Sequence, residues 1–291
     1  MLYGIHLILT YKCTRECDHC WFYCSPKTEG TFTINQIKEV LNEARKIETE
    51  WIYFEGGEPF LYYPILLEGL KIAHDMGFKT GIATNAYWAT SFKEAKRLLK
   101  PISMLNVSIL GISDDSFHID NNSEITPSTI ATRVAGDLDM KVLMLSVNKP
   151  SVEEIMGHER RVVFKGRAVE KLTENLPKKF WKDFGRCPNR DLVNPTKLHV
   201  DSFGNVQICQ GISIGNMWKT PLSDLVENYD VKLNPICYPL LKGGPALLAK
   251  KYNVDHNDEY IDECHFCSII RKALLDEFPE HLTPKQVYGF K

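Results

Sequence analysis

The strongest constraint on the fold is a regular alternation of strand-like and helix-like segments through the first two thirds of the 291-residue chain. Residues 3–10 read as a buried strand. In residues 33–47, Ile34, Ile37, Val40, Leu41 and Ala44 fall on one face of a helix. The pairing then repeats: strand 51–54 with helix 65–75, strand 78–83 with helix 91–99, and strand 104–110 with helix 128–138. Strand 141–147 comes next, then a sixth strand at 161–164 with a short helix at 168–172. Serial βα units build parallel sheets or barrels, because parallel strands need long crossovers. Six units are fewer than the eight of a closed barrel. The expected fold is therefore α/β, an open partial (β/α)6 barrel.

The pattern changes after about residue 175, which suggests two parts, 1–175 and 176–291. In the second part, residues 197–200 and 206–210 read as a hairpin around Gly204-Asn205. Short helices are expected at 221–227 and 246–252, a turn at Gly243-Gly244-Pro245, and a cysteine-bearing turn entering a helix over 264–275. This part reads as a small α+β extension.

The chain is 44% hydrophobic and 25% charged, with a net charge of -2, which argues against a general nucleic-acid or anionic-membrane binder. No apolar run approaches the roughly 20 residues that span a bilayer. The apolar stretch 2–9 has no basic leader and no small-residue cleavage site, so a cytoplasmic protein is expected. Nine cysteines are placed unevenly. Cys13, Cys17, Cys20 and Cys24 crowd the start, while Cys187, Cys209, Cys237, Cys264 and Cys267 fall in the last third. In a reducing compartment such clusters point to metal or redox chemistry rather than disulfides.

Cys13, Cys17 and Cys20 form C-x3-C-x2-C directly after the first strand. Three thiolates can hold three irons of a four-iron cluster and leave the fourth iron open to another molecule. In α/β sheets and barrels this position is the carboxyl end of the strands, where active sites form. A zinc site is the alternative, with Cys24 or His19 as fourth ligand.

The run TYKCTRECDHC resembles the signature of the radical S-adenosylmethionine (SAM) superfamily, with His19 where that family has an aromatic or histidine. Gly56-Gly57-Glu58-Pro59, directly after the second strand, is similar to the family's GGEP motif. The resemblance implies that Cys13, Cys17 and Cys20 ligate a [4Fe–4S] cluster whose open iron is chelated by SAM. It implies that the Gly56-Gly57 backbone approaches the methionyl part and that Glu58 lies near the SAM ammonium. Reductive cleavage of SAM would give a 5′-deoxyadenosyl radical that abstracts hydrogen from a substrate, with electrons from an external low-potential donor. Thr84, Asn85 and Ser108 match positions that face the SAM ribose in similar proteins. Asp115 and His118, beside Asp114 in the loop after the fourth strand, are candidates for substrate binding or proton transfer. Arg167, in Gly166-Arg167-Ala168, is a candidate partner of the SAM carboxylate. A fourth thiolate on the open iron would block SAM, so Cys24 is expected to be a packed thiol.

Cys187, Cys209, Cys264 and Cys267 resemble the ligands of SPASM and twitch extensions, which hold auxiliary [4Fe–4S] clusters. The later C-x5-C-x3-C stretch of a full SPASM domain is missing, so the one-cluster twitch type fits better. Cys237 is the alternative to Cys187, and a zinc ribbon is the alternative to a cluster. The function implied is radical oxidation or rearrangement of an organic substrate. A small molecule is favoured, since no obvious leader-peptide-binding segment precedes the first strand, and peptide maturation is the alternative. A non-catalytic iron–sulfur or zinc protein would explain the cysteines but not GGEP.

Overall fold

The computed structural model describes residues 2–118, 125–152, 162–188 and 191–290. An eight-stranded sheet forms the centre, in the order β5-β4-β3-β2-β1-β7-β8-β9. Its strands are β1 (Gly4–Thr10), β2 (Trp51–Gly56), β3 (Lys79–Thr84), β4 (Ile109–Ser113), β5 (Val142–Leu145), β7 (Lys197–Asp201), β8 (Asn205–Cys209) and β9 (Ile212–Asn216). A separate short ribbon pairs β6 (Lys179–Phe180) with β10 (Glu259–Tyr260). The six strands from β5 to β7 run parallel, and β8 and β9 add antiparallel. The sheet is not closed, in keeping with a partial barrel.

Helices α1 (Ile34–Lys46), α2 (Tyr63–Asp75), α3 (Phe92–Ser103) and α4 (Pro127–Asp137) cross over between the parallel strands. The short α5 (Ala168–Lys171) and α6 (Leu222–Glu227) follow, with α7 (Cys237–Lys251) and α8 (Glu263–Ala273) near the C-terminus. Thr33 opens α1 with a reciprocal capping box to Gln36, which satisfies backbone donors that a helix start leaves free. The buried face of α1 carries Ile37, Val40, Leu41 and Ala44, as its periodicity requires. Opposite it, Ile5, Leu7 and Leu9 of β1 are fully buried, whereas His6 points to the other face of the sheet. The expected turn at Gly243-Gly244-Pro245 is a kink inside α7, with Gly244 at φ 61°.

Two elements differ from expectation. Of the strand expected at 161–164, residue 161 lies outside the described residues and 162–164 join no strand. Val162 and Phe164 instead pack with Ala168 and Ile261 in a small apolar cluster. The sixth parallel strand is β7, which lies beside β1, so the sheet runs across residue 175. The fourth strand lies at Ile109–Ser113 rather than 104–110, because α3 continues to Ser103 through Pro101 and the chain then turns at Asn106 with φ 50°. Among the described residues no helix is long and apolar enough to cross a membrane.

Candidate active site

The chain between β1 and α1 carries Cys13, Cys17, Cys20 and Cys24, and three other segments hold it in place. Within this segment, the Cys13 amide donates to Ser25 O at 3.0 Å. From β2, the Gly57 amide donates to Thr10 O at 2.7 Å and the Glu58 amide to Lys12 O at 2.9 Å. A Cβ on Gly57 would lie 2.2 Å from Lys12 O, and one on Gly56, where φ is 128°, would lie 2.5 Å from Thr10 O. The two glycines thus let β2 press against the cysteine segment. From the far side, Arg167 donates from Nη1 to Cys17 O at 2.7 Å and from Nη2 to Cys24 O at 2.9 Å. Its amide donates to Cys20 O at 3.0 Å.

Glu58 is wholly buried, and three donors reach its carboxylate: the amides of Phe60 and Asn85 and the hydroxyl of Thr84. Burial raises its pKa to about 7 despite those donors. It braces the end of β3, which presents the Asn85 side chain to Cys13 Sγ at 3.5 Å and to Thr14 Oγ1 at 3.1 Å. Pro59 starts a buried 3-10 turn, Pro59–Tyr62.

These elements surround an open cavity of about 490 Å³. Cys13, Cys17, Cys20, Gly56, Gly57, Thr84, Asn85, Asp115 and His118 all line it. Glu58, Pro59, Ser108 and Arg167 do not. Ser108 precedes β4, at the end of the strand remote from the cavity, where its amide donates to Thr80 O. Ser113, at the carboxyl end of β4, lines the cavity in its place. Arg167 spends its guanidinium on the cysteine segment rather than facing a ligand. Asp115 Oδ1 lies 2.7 Å from His118 Nδ1, and His118 Nε2 lies 3.5 Å from Cys17 Sγ. Burial works against ionised Asp115, but the His118 hydrogen bond, the charges of His118 and His19 and the Phe117 amide together outweigh it, and the Asp115 pKa is lowered. Burial and the neighbouring His118 bring His19 down to about 4.

Burial pushes the Cys13 thiol up to about 11 and Cys17 to about 12. Cys24, itself pushed up by burial, pairs with the Cys20 sulfur and lowers Cys20 to about 6. The raised Cys13 and Cys17 thiols would ionise readily beside a metal cation. The spacing discriminates between metals. Among the described residues, the groups of three or more whose ligand atoms lie mutually within 4.8 Å are His6–Glu55–His199 and His19–Asp115–His118, with no cysteine in either. One zinc ion at ~2.3 Å from each sulfur would draw its thiolates within about 4 Å of each other. Several irons, each with its own thiolate, spread them further, so the residues fit an iron–sulfur cluster better than one ion.

A second, smaller cavity is lined by Cys187, Cys209, Cys264 and Cys267. Cys209 ends β8, and Cys264 and Cys267 lie in the first turns of α8, which Asp262 caps. Cys237 is buried at the start of α7, hydrogen-bonded with Tyr229, and does not line this cavity. Lys165 is buried and donates to Cys209 Sγ at 3.2 Å and to Gln210 Oε1 at 3.4 Å. Arg271 is buried too and donates to Gln210 O at 2.7 Å. Among the described residues neither cation has a carboxylate within ion-pair distance. Lys165 Nζ also stands 5.6 Å from the ring centroid of Trp21, which lines the open cavity beside Cys20. Sequence reading missed Ser113, Trp21, Lys165 and the inward-facing His6, Glu55 and His199. Only the last three left a signal, as polar residues in otherwise apolar strands.

Comparison with known proteins adds independent findings. The family model described as the radical SAM superfamily matches residues 7–157. The chain is 27% identical over 261 residues to YydG, a Bacillus subtilis (strain 168) protein named for peptide biosynthesis, covering 86% of this chain and 73% of that protein. It is 29% identical over 119 residues to an S-adenosylmethionine-dependent nucleotide dehydratase of Selenomonas ruminantium, covering 40% of this chain and 41% of the dehydratase. The crystal structure of BtrN in complex with AdoMet and 2-DOIA has a similar fold, with a TM-score of 0.54 at 17% identity over 78% of this chain and 83% of BtrN.

Proposed function

The chain belongs to the radical SAM superfamily, and on that premise we propose that it is a peptide-modifying enzyme with two iron–sulfur sites. Cys13, Cys17 and Cys20 would hold the SAM-cleaving [4Fe–4S] cluster. Cys187, Cys209, Cys264 and Cys267 would hold an auxiliary [4Fe–4S] cluster in a twitch-like part, 176–291, beside the SAM-binding part, 1–175. The observation that carries this reading is the nearness of two cysteine-lined cavities, where Trp21 of the first meets Lys165 of the second. Four thiolates around a doubly charged metal core leave two negative charges, and Lys165 and Arg271 are two buried cations placed to balance them.

When bound, SAM and the first cluster supply reductive carbon–sulfur cleavage and a 5′-deoxyadenosyl radical that takes hydrogen from the substrate. The chain's own residues position and shield. Arg167 and the Gly57 and Glu58 amides fix the cysteine segment. Asn85 donates toward Cys13, a hydrogen bond that favours a ligating thiolate, and the Asp115–His118 pair stands beside Cys17, with His118 Nε2 3.5 Å from its sulfur. The exposed backbone edge of Gly56-Gly57 gives SAM a wall without side chains. A low-potential donor and a reducing, cytoplasmic setting complete the proposal.

The peptide substrate is supported by the likeness to YydG, which covers enough of the chain to extend beyond residue 157 into the C-terminal part. A small organic molecule is the second reading, favoured by a cavity of about 490 Å³, within the usual range for small-ligand pockets. The test is anaerobic reconstitution followed by dithionite, SAM and any short peptide encoded beside the gene. Release of 5′-deoxyadenosine with a mass change in the peptide is expected. No release from protein with a full first cluster would overturn the radical reading. Release with turnover of a small molecule but never of a peptide would overturn the substrate.

A further inference from the structure

Three neighbouring strands place polar side chains together on the inner face of the sheet, against the open cavity. His6 of β1 stands in register with His199 of β7, and Glu55 of β2 lies two residues beyond Tyr53, the register partner of His6. Glu55 Oε2 lies 3.1 Å from His6 Nδ1, and Glu55 Oε1 lies 3.2 Å from His199 Nε2. The ligand atoms of the three converge within 4.8 Å. All three side chains are mostly buried, and all three line the cavity. Tyr53 stacks on the His6 ring with centroids 4.6 Å apart and planes 14° apart, which fixes the imidazole.

One detail separates this group from an ordinary buried ion pair. His6 Nδ1 approaches Glu55 Oε2 at 3.1 Å without the alignment of a well-formed hydrogen bond, so the contact is a loose one. Ligand atoms gathered within 4.8 Å of one another suit a shared cation. Two imidazoles and one carboxylate on rigid strands are a donor set for a divalent first-row ion with open positions. The softer thiolates lie in the separate cysteine sites.

We propose that His6, Glu55 and His199 form a divalent-cation site whose open positions face the cavity. There the ion would accept a carbonyl or hydroxyl oxygen of the substrate as a Lewis acid, without electron transfer. That role toward substrate rests on the proposed function, whereas binding of the ion does not.

Zinc serves as the probe. Cluster-reconstituted protein is equilibrated with zinc, freed of loosely held ion on a chelating resin, and examined by metal analysis and zinc K-edge X-ray absorption. The expected result is about one retained zinc per chain with only nitrogen and oxygen neighbours, at about 2.0–2.2 Å. His199→Ala and Glu55→Gln should each lose that zinc and keep wild-type iron. No zinc retained by the wild type, sulfur neighbours at about 2.3 Å, or equal retention in both variants would overturn the proposal. Should both variants fail to fold, His118→Ala decides, because His19–Asp115–His118 would give the same nitrogen and oxygen shell: zinc kept by that variant with imidazole scattering supports the site, and zinc lost from it, or sulfur scattering, overturns it.

Discussion

Replacing Arg167 by methionine should loosen the cysteine segment rather than merely weaken SAM binding. The guanidinium makes two hydrogen bonds to backbone carbonyls, at 2.7 Å to Cys17 O and 2.9 Å to Cys24 O, from a buried position. A hydrogen bond with a charged partner contributes about 1.5–3 kcal/mol, so the pair contributes about 3–6 kcal/mol. The backbone bond from Arg167 to Cys20 O survives the substitution, which holds the loss toward the lower end. Even about 3 kcal/mol raises the population of an opened segment roughly a hundredfold, at about 1.4 kcal/mol per factor of ten. Arg167→Lys keeps at most one of the two contacts and should lose about half as much. The assay is iron per chain after reconstitution, with a urea titration of the reconstituted protein. The methionine variant should lose iron from the first site and unfold at lower urea, with the lysine variant between it and wild type. Full iron loading and an unchanged urea midpoint, together with weaker SAM binding, would refute the bracing argument and restore a role for Arg167 at the SAM carboxylate.

Other perturbations have definite directions. Gly57→Ala places a Cβ 2.2 Å from Lys12 O, so it should break the Gly57–Thr10 and Glu58–Lys12 contacts and reduce first-site iron, measured by iron analysis and Mössbauer spectra. Burial raises the Glu58 pKa from its ordinary 4.5 to about 7. Between those two values the folded state binds more protons than the unfolded chain, so this group makes stability fall as pH rises from 4.5 to about 7 and level off above. The difference in unfolding free energy between wild type and Glu58→Gln, followed by urea titration from pH 5 to 8, should show that slope; a flat difference would contradict it. Cys187→Ser should lower auxiliary-site iron, whereas Cys237→Ser should leave it near wild type, because only Cys187 lines the second cavity. The reverse pattern would exchange their roles.

The sites were legible in sequence to the extent that their determinants are local. The C-x3-C-x2-C run and GGEP each lie within a few residues at a strand end, and the βα alternation told which end of the sheet they occupy. Asn85, Asp115 and His118 were found in the same way, as residues just past the carboxyl ends of strands, and all line the cavity. Side-chain direction was less legible. Glu58 and Arg167 were expected to face a ligand, but each is held by backbone groups that its own motif does not contain. Ser108 was expected on the wrong end of β4 because an apolar run after α3 mimics the start of a strand.

Hydrophobic periodicity and motif spacing by themselves determined an open α/β sheet with a cysteine triplet and GGEP at the carboxyl ends of its strands, since both signals are written within a turn or a strand. Only the tertiary structure decided that the sixth parallel strand is Lys197–Asp201, because β1 and β7 pair through backbone hydrogen bonds that any side chains permit and that leave no local pattern. The same long-range pairing brings His199 against His6 and Glu55, and folding across the sheet brings Lys165 to Cys209. Contacts between residues far apart in the chain arise from burial of a shared face, and no window of sequence contains both sides of that face.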